Sequence, residues 1–124
     1  MDVRMMNVVT LAYLGDAIYE VFIRKMLIEK GIVKVEELQK EAVKYVSAKG
    51  QALILRQLMD NGILYEDELE VVQRGRNYKR SSHPKHTDIV TYKYSTGFEA
   101  LVGYLYLSGN VDRLVEILMG IEVM

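Results

Sequence analysis

The amino-acid sequence predicts an all-α fold, a helical bundle built as a single domain from residues 1–124. Apolar residues recur at intervals of three and four rather than two, which is the period of helices with one buried face. The chain contains one proline, so little in it would break such helices. Its length suffices for one helical core but not for a catalytic domain plus a separate binding domain.

The composition narrows the class of protein. Hydrophobic residues make up 50% and charged residues 27%, as in globular proteins rather than disordered or fibrous ones. The absence of cysteine excludes disulfides, thiolate metal sites and a cysteine nucleophile, and is typical of a reducing cytoplasm. The first seven residues show no export signal, and no apolar run approaches the roughly 20 residues that span a bilayer. We therefore expect a soluble cytoplasmic protein without a membrane partner.

The first three helices are predicted from the spacing of apolar residues and from the residues that begin or end a helix. A long helix is expected over residues 3–29, buried on most sides and ended by Gly31, which accepts a left-handed conformation. A second helix is expected over residues 35–45. Ser47 is a suitable N-cap for a third helix, which should end at Asn61 and Gly62.

The last three helices flank a basic loop. Acidic residues between positions 66 and 70 suit the first turn of a fourth helix, where they favour the positive end of the helix dipole. Residues 81–84 break the pattern and indicate an exposed loop. A fifth helix should begin near Tyr92 or Thr96 and run to Leu107, and residues 111–120 should close the fold.

Charge is distributed unevenly along the chain. The formal net charge is -1, yet residues 73–93 contain six basic residues and one acidic residue. A concentrated positive segment of this kind attracts phosphate groups, although it also suits a solvated loop.

Three carboxylates interrupt the apolar helices. Asp16 and Glu20 lie four residues apart and so share one face of the first helix, and Glu99 interrupts an otherwise apolar fifth helix. Burying an ionised carboxylate is costly, so each needs a cation, a metal or access to solvent. Metal binding is one explanation. The alternatives are pairing with arginine or lysine, with Arg24 as a partner for Glu20, four residues on.

Three separated blocks of sequence carry a family resemblance. Residues 11–20 (LAYLGDAIYE) resemble the signature helix of the ribonuclease III family. Residues 74–77 (RGRN), then Lys85 with Thr87 and Asp88, and residues 92–105 (YKYSTGFEALVGYL), resemble the subgroup called Mini-ribonuclease III. Three blocks in the right order are far more specific than a single short motif.

The resemblance implies an all-helical, homodimeric endoribonuclease that uses a divalent metal to hydrolyse double-stranded RNA, leaving 5′-phosphate products. Asp16 and Glu99 fall on family positions for metal ligands and catalysis. Full-length relatives carry further acids where this chain has Ala12 and Thr96, which leaves the number of metal ions open. Glu20 and Asp88 are therefore candidates for supplementary ligands. Carboxylate ligands suit Mg²⁺, with Mn²⁺ as a substitute.

The same resemblance implies partners. The substrate expected is the precursor of the large-subunit (23S) ribosomal RNA, and a ribosomal protein is a candidate partner. A-form RNA is recognised mainly through its shape and its phosphates, so the basic segment is the candidate RNA-binding surface. Its residues are Arg74, Arg76, Asn77, Lys79, Arg80, Lys85 and Lys93.

Two rival functions remain open at this stage. A non-catalytic double-stranded-RNA-binding or ribosome-assembly module is suggested by Ala12 and Thr96, where relatives carry acids. A purely structural helical dimer would show no affinity for RNA.

Overall fold

A computed structural model describes residues 2–79 and 87–123 of the chain. Within these ranges the protein forms helices and turns and has no strand, which confirms the predicted fold class. The α-helices are α1 (Val8–Glu29), α2 (Val35–Val46), α3 (Ala48–Asp60), α4 (Glu66–Asn77), α5 (Ile89–Leu107) and α6 (Val111–Met119). Short 3₁₀ turns cover Val3–Met5 and Gly120–Val123. None of these helices is long and apolar enough to cross a bilayer.

Side-chain caps determine where two helices begin. The first helix starts later than predicted because the Asn7 side chain accepts a hydrogen bond from Val9 N at 2.8 Å, which separates α1 from the 3₁₀ turn before it. The fifth helix starts earlier than predicted, at Ile89, because Asp88 caps it. Ser47 caps α3 as expected, through a bond from Gly50 N.

Glycines end three helices in the conformation that the sequence indicates. Gly31, Gly62 and Gly109 have φ angles of 100°, 64° and 78°. This left-handed region is strained for residues with a Cβ atom, so glycine lets the chain turn sharply there.

Helix α5 is the centre of the bundle, and α1, α3, α4 and α6 pack around it. Between residues 95 and 105 every residue except Glu99 is buried. Phe98, Leu101, Val102 and Leu105 recur at the helical period and are each at most 1% exposed, so they form a core face of α5.

Helix α1 is less enclosed than predicted. One face is buried, along Leu11, Gly15, Tyr19 and Ile23. The opposite face leaves Tyr13 83% exposed and Val21 65% exposed. The other helices of the chain bury only some of the apolar residues of α1. The expectation that α1 is buried on most sides was therefore wrong for a single chain.

Candidate functional site

Two glycines bring α1 and α5 into backbone contact. A Cβ atom added to Gly15 would overlap the carbonyl oxygen of Glu99 and lie 2.8 Å from Gly103 N. One added to Gly103 would overlap the carbonyl oxygen of Leu11. The helices therefore approach as closely as backbones allow, and Asp16, next to Gly15, lies beside the turn of α5 that carries Glu99.

The two carboxylates differ in environment. Asp16 is exposed, whereas Glu99 is partly buried within the otherwise closed stretch of α5. The Asp16 side chain is thus open to solvent, whereas the Glu99 side chain lies at the edge of the core. Carboxylate oxygens are the protein ligands that Mg²⁺ prefers, so the pair fits such an ion in its chemistry.

A buried amide from α3 reaches this site. The Nε2 atom of Gln51 donates to Val46 O at 3.1 Å and lies 3.4 Å from Glu99 Oε2. The reverse amide orientation would place Oε1 against two acceptors, so the donor must face them. Gln51 is 2% exposed, and its Oε1 has no hydrogen-bond partner among the described residues.

The positions where relatives carry further acids are closed in this chain. Ala12 and Thr96 are each 4% exposed. The Thr96 hydroxyl donates to the carbonyl oxygen of Tyr92 at 3.0 Å. These residues serve packing and local hydrogen bonding. In the part of the chain described, no group of three or more metal-binding side chains occurs.

The candidate supplementary ligands are already engaged. Glu20 Oε2 accepts from Arg24 Nε at 3.2 Å, which matches the ion-pair alternative from the sequence. Asp88 accepts from Thr91 N at 2.9 Å and Thr91 Oγ1 at 2.8 Å, and these hydrogen bonds lower the pKa of its carboxyl group. Asp88 also lies eleven residues before Glu99 in one helix, about 16 Å along its axis. It cannot share an ion with Glu99 within one chain.

The predicted RNA-binding residues differ in their surroundings. Arg74 donates to the carbonyl oxygens of Arg4 at 2.8 Å and Met6 at 2.6 Å, so its guanidinium group fastens the N-terminal turn to α4. Arg76 is half-buried, whereas Asn77, Lys79 and Lys93 are exposed to solvent. Arg80 and Lys85 lie outside the described residues.

Gln51 was not predicted from the sequence, although a signal for it exists. It shares a face of α3 with the buried residues Ile54, Leu55 and Leu58. A polar amide at a core position of an amphipathic helix needs a polar partner. The partner lies 48 positions away in the chain, which no local pattern reveals.

Known proteins resemble this chain in both sequence and fold. A model of the Ribonuclease III domain matches residues 9–110, and the chain belongs to the ribonuclease III family. A protein of Fusobacterium nucleatum, solved by X-ray crystallography, superposes with a TM-score of 0.86 at 30% identity, covering 98% of this chain and 97% of that one.

Relatives within the family carry a more particular name. The Mini-ribonuclease 3 of Symbiobacterium thermophilum is 55% identical over 109 residues, 88% of this chain and 82% of that protein. The Mini-ribonuclease 3 of Brevibacillus brevis is 52% identical over 116 residues, 94% of this chain and 85% of that protein. The predicted relationship to the Mini-ribonuclease III subgroup is confirmed.

Proposed function

We propose that this protein is a magnesium-dependent endoribonuclease that hydrolyses phosphodiester bonds in double-stranded RNA, leaving 5′-phosphate products, with Asp16 and Glu99 as its metal ligands. The observation that carries the proposal is the contact of Gly15 with the backbone of Glu99, since it brings acids from opposite ends of the sequence to one helix crossing. Family membership supports the reaction class.

The side chains of the site have distinct tasks under this proposal. Asp16 presents an exposed carboxylate to an ion, and Glu99 supplies an oxygen from a position that its buried neighbours hold. Magnesium, with Mn²⁺ as a substitute, would neutralise charge on the scissile phosphate and make water a stronger nucleophile. Two protein carboxylates are compatible with this ion, because Mg²⁺ usually keeps several waters. Ala12 and Thr96 contribute no carboxylate.

The basic residues support binding of the duplex. Lys79 and Lys93 present exposed ammonium groups, and Asn77 presents an exposed amide. Phosphate contacts of this kind position RNA without reading its sequence. Arg74 has a structural task in the N-terminal turn and contributes less than the sequence predicts.

We propose a homodimer as the working form. A groove between α1 and α2 is lined by Ile28, Val35 and Val43, which are 52%, 66% and 57% exposed. Apolar surface of this extent in one region is typical of a contact with another protein. Sedimentation at micromolar concentration should give twice the mass of the chain, and a monomer would contradict this part of the proposal.

The substrate proposed is the precursor of 23S ribosomal RNA, cut in the cytoplasm as a step of ribosome maturation with a ribosomal protein as a candidate partner. The resemblance to the Mini-ribonuclease III subgroup supports this substrate. Deleting the gene in its host should leave 23S ribosomal RNA with unprocessed ends, which primer extension would detect. Mature ends in the deletion strain would point to another substrate.

Cleavage of a long RNA duplex, with and without Mg²⁺, tests the reaction itself. We expect cleavage by the wild-type chain only with the metal, and a loss of at least about 100-fold in Asp16→Asn or Glu99→Gln, since each removes a charged ligand. Both variants should still bind the duplex in EDTA. Full activity in both would refute the assignment of the site.

The second candidate function is a non-catalytic RNA-binding module. The buried, uncharged Ala12 and Thr96 favour it, because they halve the carboxylate set of full-length relatives. The same cleavage assay decides, since a module of this kind would bind the duplex and leave it intact.

A further inference from the structure

A tyrosine on α5 holds two arginines from different helices. The guanidinium carbon of Arg76, from α4, lies 4.3 Å from the ring centroid of Tyr94, and that of Arg56, from α3, lies 4.7 Å from it. Cations at such distances are attracted to the ring. Stacking orients the planar guanidinium groups, which otherwise move freely at the end of long side chains.

The two charges are close together and, among residues 2–79 and 87–121, have no acidic partner. Both guanidinium carbons lie near one ring, so they are within about 9 Å of each other, a distance at which like charges repel. In the described parts of the chain, every ion pair involves other basic residues. By contrast, Arg24 and Arg113 each have a glutamate partner. An uncompensated pair of cations that the fold holds together is suited to an anion.

The pair is open to solvent and lies on the helix of the candidate site. Arg56 is exposed and Arg76 half-buried, so an anion from solution has access to them. Tyr94 precedes Glu99 by five residues, about 7.5 Å along the axis of α5 and roughly 140° around it. Guanidinium groups bind phosphate oxygens through two parallel hydrogen bonds, which ammonium groups cannot do.

We infer that Arg56 and Arg76, oriented by Tyr94, form a binding site for one backbone phosphate of the RNA substrate, more than one turn of α5 away from Glu99. This inference rests on the proposed function and extends the RNA surface from the basic segment to α3. Arg56 lies outside that segment and was not predicted from the sequence. The ring of Tyr94 contributes by orienting the arginines, so its hydroxyl group is dispensable.

The experiment measures affinity for an RNA duplex in EDTA, at several salt concentrations, for the wild type, Arg56→Met, Arg76→Met and the double variant. Each single variant should weaken binding severalfold and lower the slope of log affinity against log salt by about one. If both arginines hold the same phosphate, the double variant should lose little more slope than either single one. Lys40→Met, which removes an exposed lysine of α2, is the charge control and should change binding far less.

Variants of the tyrosine test the orienting role. Tyr94→Phe keeps the ring and should bind as the wild type does, whereas Tyr94→Leu should bind as weakly as the arginine variants. Thermal unfolding of each variant separates loss of the site from loss of the fold. Binding by Arg56→Met that equals binding by the Lys40→Met control would overturn the inference, as would failure of the wild type to bind the duplex.

The outcome is separable from that of the proposed function. Cleavage by the wild type with no effect of Arg56→Met on binding would overturn the phosphate site and leave the nuclease proposal intact. Binding that depends on Arg56 without cleavage in Mg²⁺ would support the phosphate site and refute the nuclease.

Discussion

At the scale of single residues, the side chains of the two acids of the candidate site differ in conformational freedom. Asp16 projects into solvent from α1. Glu99 lies between buried neighbours on α5, with the amide of Gln51 at 3.4 Å from its carboxylate. Packing and an amide donor limit the rotamers available to Glu99. Glu99 is therefore the better ordered of the two proposed ligands, and Asp16 has more freedom to adjust its position.

Gln51→Met tests whether the buried amide positions Glu99. Methionine has a similar shape but cannot donate, so the Mg²⁺ concentration for half-maximal cleavage should rise severalfold. Duplex binding in EDTA should stay unchanged, because it does not depend on the carboxylate. Stability should change by less than about 1 kcal/mol, since the loss of the bond to Val46 is offset by removing an unpaired buried oxygen.

Gln57→Met is the matched control for this variant. Gln57 is a half-buried glutamine six residues later in α3, and its replacement should leave the magnesium dependence unchanged. An unaltered magnesium requirement in Gln51→Met would show that the amide serves only to pack α3 against α5.

At the scale of secondary-structure elements, close helix crossings build the site. Gly15 and Gly103 allow α1 to contact α5, and a Cβ atom on Gly75 would lie 2.7 Å from the Cα atom of Gly97, where α4 crosses α5. Glycine within a helix costs about 1 kcal/mol relative to alanine. Tight packing of three backbones compensates for that cost, and it determines where Asp16 lies relative to Glu99.

Gly15→Ala should separate α1 from α5. Its methyl group would overlap the Glu99 carbonyl, which belongs to the backbone and cannot rotate away, so the variant should lose about 1–3 kcal/mol of unfolding free energy or more. Cleavage should fall further than stability alone explains, because Asp16 moves with the helix. Calorimetry and cleavage below the melting temperature measure the two effects.

Gly120→Ala is the control for that substitution. Nothing lies within 4 Å of a Cβ atom at this position, and its φ of -62° is one that alanine adopts readily. Stability should stay equal or rise by about 0.4–1 kcal/mol. A Gly15→Ala protein as stable and active as this control would mean that the helix crossing tolerates a wider spacing.

At the scale of the whole molecule, a buried ion pair joins α4 to α6. Glu68 is 1% exposed and accepts two hydrogen bonds from Arg113 at 2.8 Å and one from Tyr65 N at 2.8 Å. Arg113 also donates to Ile63 O at 2.7 Å and stacks on the Tyr65 ring at 3.8 Å. The hydrogen bonds to Glu68 raise the pKa of Arg113, so its guanidinium group stays charged.

Replacing one member of this pair should destabilise the protein far more than replacing both. Arg113→Met leaves the buried Glu68 carboxylate without its cation, and Glu68→Gln leaves Arg113 only its exposed partner Glu116. Each should cost about 3–5 kcal/mol, whereas Glu68→Leu combined with Arg113→Met should cost much less. Lys25→Met removes a partner of the exposed Glu29 and should cost less than about 1 kcal/mol. Urea unfolding of the four variants would show this order, and equal losses in the single variants and the exposed control would contradict it.

Features that depend on neighbours along the chain could be predicted from the order of residues alone. Periodicity predicted the helices, glycines predicted the helix ends, and separated motifs indicated the family. Helix starts were less exact because they depend on whether a side chain such as Asn7 or Asp88 turns back to cap the backbone. A capping side chain can instead point into solvent at little cost in free energy, and the pattern of residue types does not show which conformation it adopts.

Contacts between distant groups became visible only in the folded chain. In the fold, Asp16 lies beside the turn of α5 that carries Glu99, and Gln51 contacts the Glu99 carboxylate. Arg74 binds the N-terminal turn. Arg56 and Arg76 both contact the ring of Tyr94. The physical reason is that helix packing depends on how whole faces fit together. A side chain's partner is therefore set by crossings such as that of Gly15 and Gly103, and not by its distance along the chain.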